Sequence, residues 1–142
     1  ARDLSKGGDA AGQYVRFNVD MGFKPYRVVT NDIVCDDITV VTLDGDLDIQ
    51  AGEYVFVWVP GVGEKPFSCL THNPVRLAVI NVGQFTEHCY QLSPGGAVYL
   101  RGPHGVAVTP PKDAHIVCVA GGTGLAAVYQ IAEDFGSDDS PI

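Results

Sequence analysis

Positive charge is scarce in this chain: 142 residues carry nine Lys and Arg against 17 Asp and Glu, a formal charge of −8. With no basic run, the composition argues against nucleic acid, whose phosphates require clustered cations. Anionic membrane surfaces are disfavoured for the same reason. Long apolar runs are missing too, and none approaches the roughly 20 residues of a membrane-spanning helix. Residues 1–13 lack the apolar stretch of a secretory signal. The cytoplasm is the expected compartment.

Cysteine is sparse and scattered, at Cys35, Cys69, Cys89 and Cys118. No Cys-x-x-Cys and no His/Cys pair at zinc spacing occurs, which argues against a structural zinc or an iron–sulfur cluster built by this chain alone. The spacing is not that of a small disulfide scaffold either. All four cysteines have apolar neighbours and read as reduced core thiols. The histidines His72, His88 and His115 make no ligand spacing with one another, and no metal is expected.

What the chain does contain is apolar surface and turns. Hydrophobic residues make up 46%, charged residues 18%, with 17 Gly and 9 Pro. That supports a folded core and bounds the chain to one domain with a fragment of a second. Residues 1–23 read as an extension rich in Gly, Asp and Ala. Short β-rich runs follow at 27–31, 38–43, 54–59, 75–82 and 97–101. The breaks between them are turn chemistry, as in Asp44-Gly45-Asp46, Asn73-Pro74 and Ser93-Pro94-Gly95-Gly96. Such spacing predicts a small antiparallel barrel or sandwich. A short helix is expected over 85–92, where Phe85, Cys89 and Leu92 share a face.

The last forty or so residues change grammar. The run 115–120 reads as a buried strand and leads straight into Gly121-Gly122-Thr123-Gly124. Leu125, Val128, Ala132 and Phe135 then recur at helical spacing. Strand, glycine turn and helix open a nucleotide-binding α/β unit. Gly122-x-Gly124-x-x-Ala127 fits the pattern in which residues without a Cβ let backbone N–H groups reach a pyrophosphate. The same turn can also join strand to helix with no ligand. Upstream, Glu64-Lys65-Pro66-Phe67-Ser68 offers a cation, a flat ring and a hydroxyl ahead of a strand. Alone, this reads as a surface lysine and a core phenylalanine.

Four ordered motifs carry a more specific likeness: 52–68, Val82-Gly83-Gln84-Phe85-Thr86, Leu100-Arg101-Gly102-Pro103-His104-Gly105, and 120–125. Together they resemble the ferredoxin–NADP reductase superfamily over residues 25–135, on the branch of the dihydroorotate dehydrogenase electron-transfer subunits. The resemblance implies a six-stranded antiparallel FAD-binding β-barrel over 24–112 and the start of a truncated NAD(P)-binding α/β domain over 113–142. In the family, an Arg-x-Tyr-Ser/Thr motif meets the flavin; it falls here on Lys65, Pro66, Phe67 and Ser68. Lys65 would then approach the FAD pyrophosphate, Phe67 pack beside the isoalloxazine and Ser68 reach its N5 edge. Val79, Ile80 and Asn81 would line the ring and ribityl chain. Gly83 and Thr86 would face the phosphates, Gly102 to Gly105 would close the barrel, and Gly121, Gly122, Thr123 and Gly124 would take the pyrophosphate of NAD(P)H.

The chain departs from that pattern. Lys65 replaces an arginine and loses bidentate phosphate recognition. Asn81 stands where relatives often carry a cation, and Ala127 where they carry proline. Arg76 and Arg101 are close in sequence without an assigned place. The ligands of the family's [2Fe–2S] cluster are not in this sequence, so the chain alone is expected neither to carry that cluster nor to turn over NAD(P)H well. The implied function is the FAD-binding part of an oxidoreductase passing electrons between NAD(P)H and an iron–sulfur or other redox partner subunit. The competing reading is a non-catalytic barrel that docks or regulates such a subunit. No nucleophile–base pair is present, and the flavin would carry the chemistry. His104 reads as packing or surface in its turn, and Cys118 as core.

Overall fold

Alternation of apolar side chains at period two builds this protein. Val55, Val57 and Val59 on one strand and Val75, Leu77 and Val79 on another all lie at 3% exposure or less. Their intervening neighbours face outward, as the pleat of a strand requires. The computed structural model describes residues 22–136. The extension expected at 1–23 lies outside the described residues up to position 21.

Seven strands form in chain order: β1 (Lys24–Cys35), β2 (Ile38–Leu43), β3 (Glu53–Val59), β4 (Gly63–Phe67), β5 (Cys69–His72), β6 (Val75–Ile80) and β7 (Ala97–Gly105). Helix α1 (Gln84–Tyr90) lies between β6 and β7, and α2 (Gly124–Phe135) follows β7. The strands line up as β4-β3-β7-β1-β2-β6-β5, and every pairing is antiparallel.

Two corners turn this row into a barrel. The 12-residue β1 pairs with β7 through Lys24 to Arg27, then with β2 from Val28 to Cys35, with a register shift after Val28. Such an irregularity bends the strand and lets it serve both halves. The second corner is Ser68, the single residue between β4 and β5, which are the two ends of the row. Counted as one bent strand, β4 and β5 restore the six strands expected, and the chain itself closes the barrel.

The interior is aliphatic, built on Val28, Val41, Leu43, Val98 and Leu100 beside the residues already named. Helix α1 closes one end by inserting Phe85 and Cys89, 7% and 3% exposed. It ends two residues earlier than expected, and Leu92 packs on the core from outside the helix. Strand β3 is apolar on its outer face too. There Trp58 stacks on Phe23 (5.8 Å) and Tyr99 (4.8 Å). Phe56 lies 5.4 Å from His104, which is a packed residue as expected.

Three expectations fail. The strand at 115–120 does not form, and Ile116, Val117 and Val119 are 42%, 84% and 87% exposed. A buried parallel strand exists only between neighbours, and among the described residues none lies beside this one. Cys118 on it is exposed, as is Cys35; only Cys69 and Cys89 are core thiols. Helix α2 forms, but it meets the barrel through Ala126 and Gln130. The apolar stripe through Leu125 and Phe135 lies on the opposite side and stays exposed. No helix among the described residues is long and apolar enough to cross a membrane.

Candidate functional site

The interruption at Ser68 does more than close the barrel. Between β4 and β5 the backbone leaves the ladder, so Pro66, Phe67 and Ser68 face a cavity of about 420 Å³. That volume falls within the roughly 300–1,000 Å³ of small-molecule sites. Across from them stand Ala78 and Ile80 of β6, Val82, and Thr86 of α1. Thr123, Gly124, Ala126 and Ala127 at the start of α2 form the remaining wall. Three regions far apart in sequence therefore meet in one pocket, apolar except for the hydroxyls of Ser68, Thr86 and Thr123.

Each wall has a local cause. Strand β6 alternates, so Val75, Leu77 and Val79 enter the core while Ala78 and Ile80 turn to the pocket. Phe67 is backed by Phe85, with ring centroids 6.1 Å apart, which fixes its plane. Thr86 organises the start of α1. Its Oγ1 accepts from the N–H groups of Val82 and Gly83 and donates to the Gly83 carbonyl, each at 3.0 Å. The N–H groups of the first helical residues lack intrahelical partners by geometry. They open beside Gly83, where an added Cβ would meet nothing within 4 Å.

The glycine turn reaches the pocket from the other side. Gly122 has φ +57°, a left-handed conformation that favours glycine, and its missing Cβ would sit 3.7 Å from Ile80 Cδ1. The N–H groups of Gly124, Leu125 and Ala126 bond to carbonyls within the turn at 3.1, 3.3 and 3.0 Å. Helix α2 is held by Gln130, which donates to the Ile49 carbonyl at 3.1 Å and stands 3.5 Å from His72 Nδ1.

The expected site residues divide accordingly. Pro66, Phe67, Ser68, Ile80, Thr86, Thr123 and Gly124 line the pocket together. Lys65 lies on the same strand but outside the lining, exposed. Asn81 is exposed, and its N–H is held by the Asp37 carbonyl at 2.7 Å. Val79 presents its side chain to the core at 1% exposure. Gly83 caps α1 at the rim, while Gly121 and Gly122 sit behind the lining residues Thr123 and Gly124.

Ala78, Val82, Ala126 and Ala127 complete the walls. Period two counted back from Ile80 would have found Ala78. Gly102 to Gly105 continue β7, and Glu53 and Tyr54 of β3 pair with Gly105 and His104. Arg101 serves the outer aromatic face, its guanidinium 5.0 Å from the Phe23 ring and 4.9 Å from that of Phe56. Its Nη2 also lies 3.3 Å from Glu64. Arg76 shares the outward face of β6 with Ala78 and Ile80.

A flavin fits these residues. Apolar walls, the Phe67 ring and the hydroxyls of Ser68 and Thr123 suit a conjugated polar-rimmed ring. No Lys or Arg lines the slot among the described residues, so a diphosphate would rely on backbone N–H groups and on Lys65 beyond it. No group of metal-ligating side chains occurs among the described residues. Burial pushes the thiol of Cys69 up to about 12 and that of Cys89 up to about 11, which keeps both protonated and inert.

No family model matches the chain. It is 35% identical over 114 residues to a probable dihydroorotate dehydrogenase B (NAD(+)), electron transfer subunit of Methanocaldococcus jannaschii, covering 79% of the chain and 43% of that relative. The protein of the same name from Methanopyrus kandleri is 35% identical over 113 residues, 77% of the chain and 43% of the relative. The chain thus spans less than half the length of these curated relatives.

Among solved structures, phthalate dioxygenase reductase is described as modular, transferring electrons from pyridine nucleotides to [2Fe–2S]. It superposes with a TM-score of 0.67 at 22% identity, over 80% of the chain and 40% of its own length. A cytochrome P450 reductase of Amycolatopsis gives 0.59 at 28% identity, over 79% and 39%.

Proposed function

The chain is a homologue of dihydroorotate dehydrogenase B electron-transfer subunits with a ferredoxin–NADP reductase-like barrel, and we propose that it is the flavin-binding part of such an oxidoreductase. The observation that carries this reading is the pocket itself. Phe67 and Ser68 at the barrel corner face Ala78 and Ile80 across a space closed by the start of α2.

FAD is the cofactor proposed; when bound it supplies a ring that takes up a hydride at N5 and releases electrons singly. The residues of this chain bind and orient it. Phe67, held by Phe85, gives the ring a flat neighbour, and the Ser68 hydroxyl gives its edge a hydrogen bond. Ile80 and Ala126 give the pocket apolar walls. The diphosphate falls to the first N–H groups of α1 between the Gly83 turn and Thr86, aided by the helix dipole. Lys65 adds a positive charge nearby, and the backbone of Val79 and Asn81 follows the ribityl chain.

In the full-length protein, Gly121 to Gly124 would face the pyrophosphate of NAD(P)H as the opening of a second domain over 113–142, after the FAD barrel of 24–112. A redox partner subunit would receive the electrons, and the [2Fe–2S] cluster would lie outside the residues described. The cytoplasm is the compartment proposed for it.

The test is the visible absorbance spectrum of the purified chain, with the released flavin identified after acid precipitation. Near-stoichiometric FAD supports the reading. A colourless protein that refuses added FAD overturns it in favour of the second, a barrel that docks or regulates a partner subunit. The lack of a cation in the pocket lining is the one observation that favours that alternative.

A further inference from the structure

Asn31 lies on β1, far in sequence from every pocket residue, yet its carboxamide grips the helix that forms part of the pocket. Its Nδ2 donates toward the carbonyls of Cys89, Tyr90 and Leu92 at 3.2, 3.0 and 2.8 Å. These carbonyls cluster at the C-terminal end of α1, where a helix leaves acceptors without intrahelical donors. On the other side, Asn31 Oδ1 accepts from the hydroxyl of Thr39, which is fully buried. The three carbonyls settle which way the amide faces, since a reversed amide would set its oxygen against acceptors.

Helix α1 has only seven residues, too few to hold its shape without tertiary support. Its anchors are Phe85 and Cys89 in the core and Asn31 at its end. What α1 carries matters to the pocket. Thr86 stands in the lining, and Phe85 backs the ring of Phe67. A shift of α1 would move the hydroxyl, the first helical N–H groups and the aromatic wall together.

We propose that Asn31 is a positioning residue for the cofactor pocket, acting through α1 on Phe67 and Thr86. The inference rests on the flavin reading of that pocket. It gives the Thr39–Asn31–α1 chain a role that a simple helix cap would not have.

The test uses the 142-residue chain and its Asn31→Ala variant, with two readouts. One is FAD affinity together with the shape of the flavin visible band. The other is alkylation of Cys89, mapped by peptide mass and compared with Cys69, which needs no flavin.

The expected result is an unchanged far-UV spectrum, Cys89 alkylated about tenfold faster, an FAD Kd raised about tenfold, and an altered band. Wild-type values for both readouts overturn the proposal. Faster Cys89 alkylation with unchanged Kd and band also overturns it, leaving Asn31 a helix cap only. If the wild-type chain takes up no FAD, the flavin reading falls, and Asn31 as the residue that positions α1 is judged on alkylation alone. Should Asn31→Ala not fold, Thr39→Val carries the same test. It keeps volume and Asn31, removes the hydroxyl that donates to Asn31 Oδ1, and is expected to shift both readouts by a smaller factor in the same direction.

Discussion

Gln130 in α2 donates its Nε2 to the carbonyl of Ile49 at 3.1 Å, across 81 positions of sequence. Both residues are buried, at 3% and 4% exposure. Ile49 is part of the barrel core, so this bond ties the helix that supplies one pocket wall to the barrel that supplies the others.

Replacing Gln130 by Leu keeps the volume near that of the amide and leaves the Ile49 carbonyl without its donor. A buried unsatisfied carbonyl costs about 1–3 kcal/mol. The cost falls on docking of α2. The amides of α2 are expected to exchange with deuterium about tenfold faster, while those of β3 and β6 stay protected. Uniform acceleration through the barrel would show that Gln130 supports the whole fold instead.

Ser68→Ala tests the pocket at its corner. Among the described residues the hydroxyl has no hydrogen-bond partner, and its removal is expected to change the unfolding free energy by less than about 0.5 kcal/mol. The FAD-loaded variant is expected to be reduced several-fold more slowly by dithionite or to shift in potential. Unchanged kinetics and potential in a fully loaded variant would remove Ser68 from the ring edge.

On the outer face, Arg101 lies over Phe23 and Phe56 and contacts Glu64. Arg101→Ala strips its stem and guanidinium from both rings and is expected to destabilise by about 1–3 kcal/mol in urea unfolding. Glu64→Gln touches only a partly exposed ion pair and is expected to cost under about 0.5 kcal/mol. Equal losses from the two substitutions would assign the effect to charge pairing and not to stacking.

The buried thiols predict a stability change in base. Burial pushes the thiols of Cys69 and Cys89 up to about 12 and about 11 in the folded protein, from an ordinary value of 9.0. Above pH 9 the unfolded chain has shed protons that the folded chain retains. Stability is therefore complete below that point and falls as pH rises toward the folded values, by about 1.4 kcal/mol per pH unit per thiol. Cys89→Ala is expected to flatten part of that slope between pH 9 and 11; a profile with the wild-type slope would assign it to other groups.

Much of the barrel was legible because strands announce themselves locally. Val55, Val57 and Val59 alternate with larger aromatics, and Val75, Leu77 and Val79 alternate with smaller or charged residues. Glycine- and proline-bearing turns mark where such runs stop. Pro66-Phe67-Ser68, Ile80 and Thr86 stood out through the family resemblance and not through local pattern, Thr123-Gly124 through the glycine turn as well, and the fold brings them to one pocket. The run 115–120 shows the limit of that reading. Its composition is that of a buried strand, but composition cannot supply the neighbours that would bury it.

The amino-acid order by itself determined which segments extend, where they turn, and which faces are apolar, because those depend on residues a few positions apart. Tertiary structure decided the rest. Ser68 became a corner only because β4 and β5 pair with opposite ends of the sheet. Asn31 became an anchor for α1 only because β1 passes beneath the helix end. Helix α2 turned Ala126 and Gln130 to the barrel, leaving its more apolar side outward, since a buried amide bond to Ile49 and a small contact residue fit that surface. These are long-range choices of partner, and no local pattern encodes them.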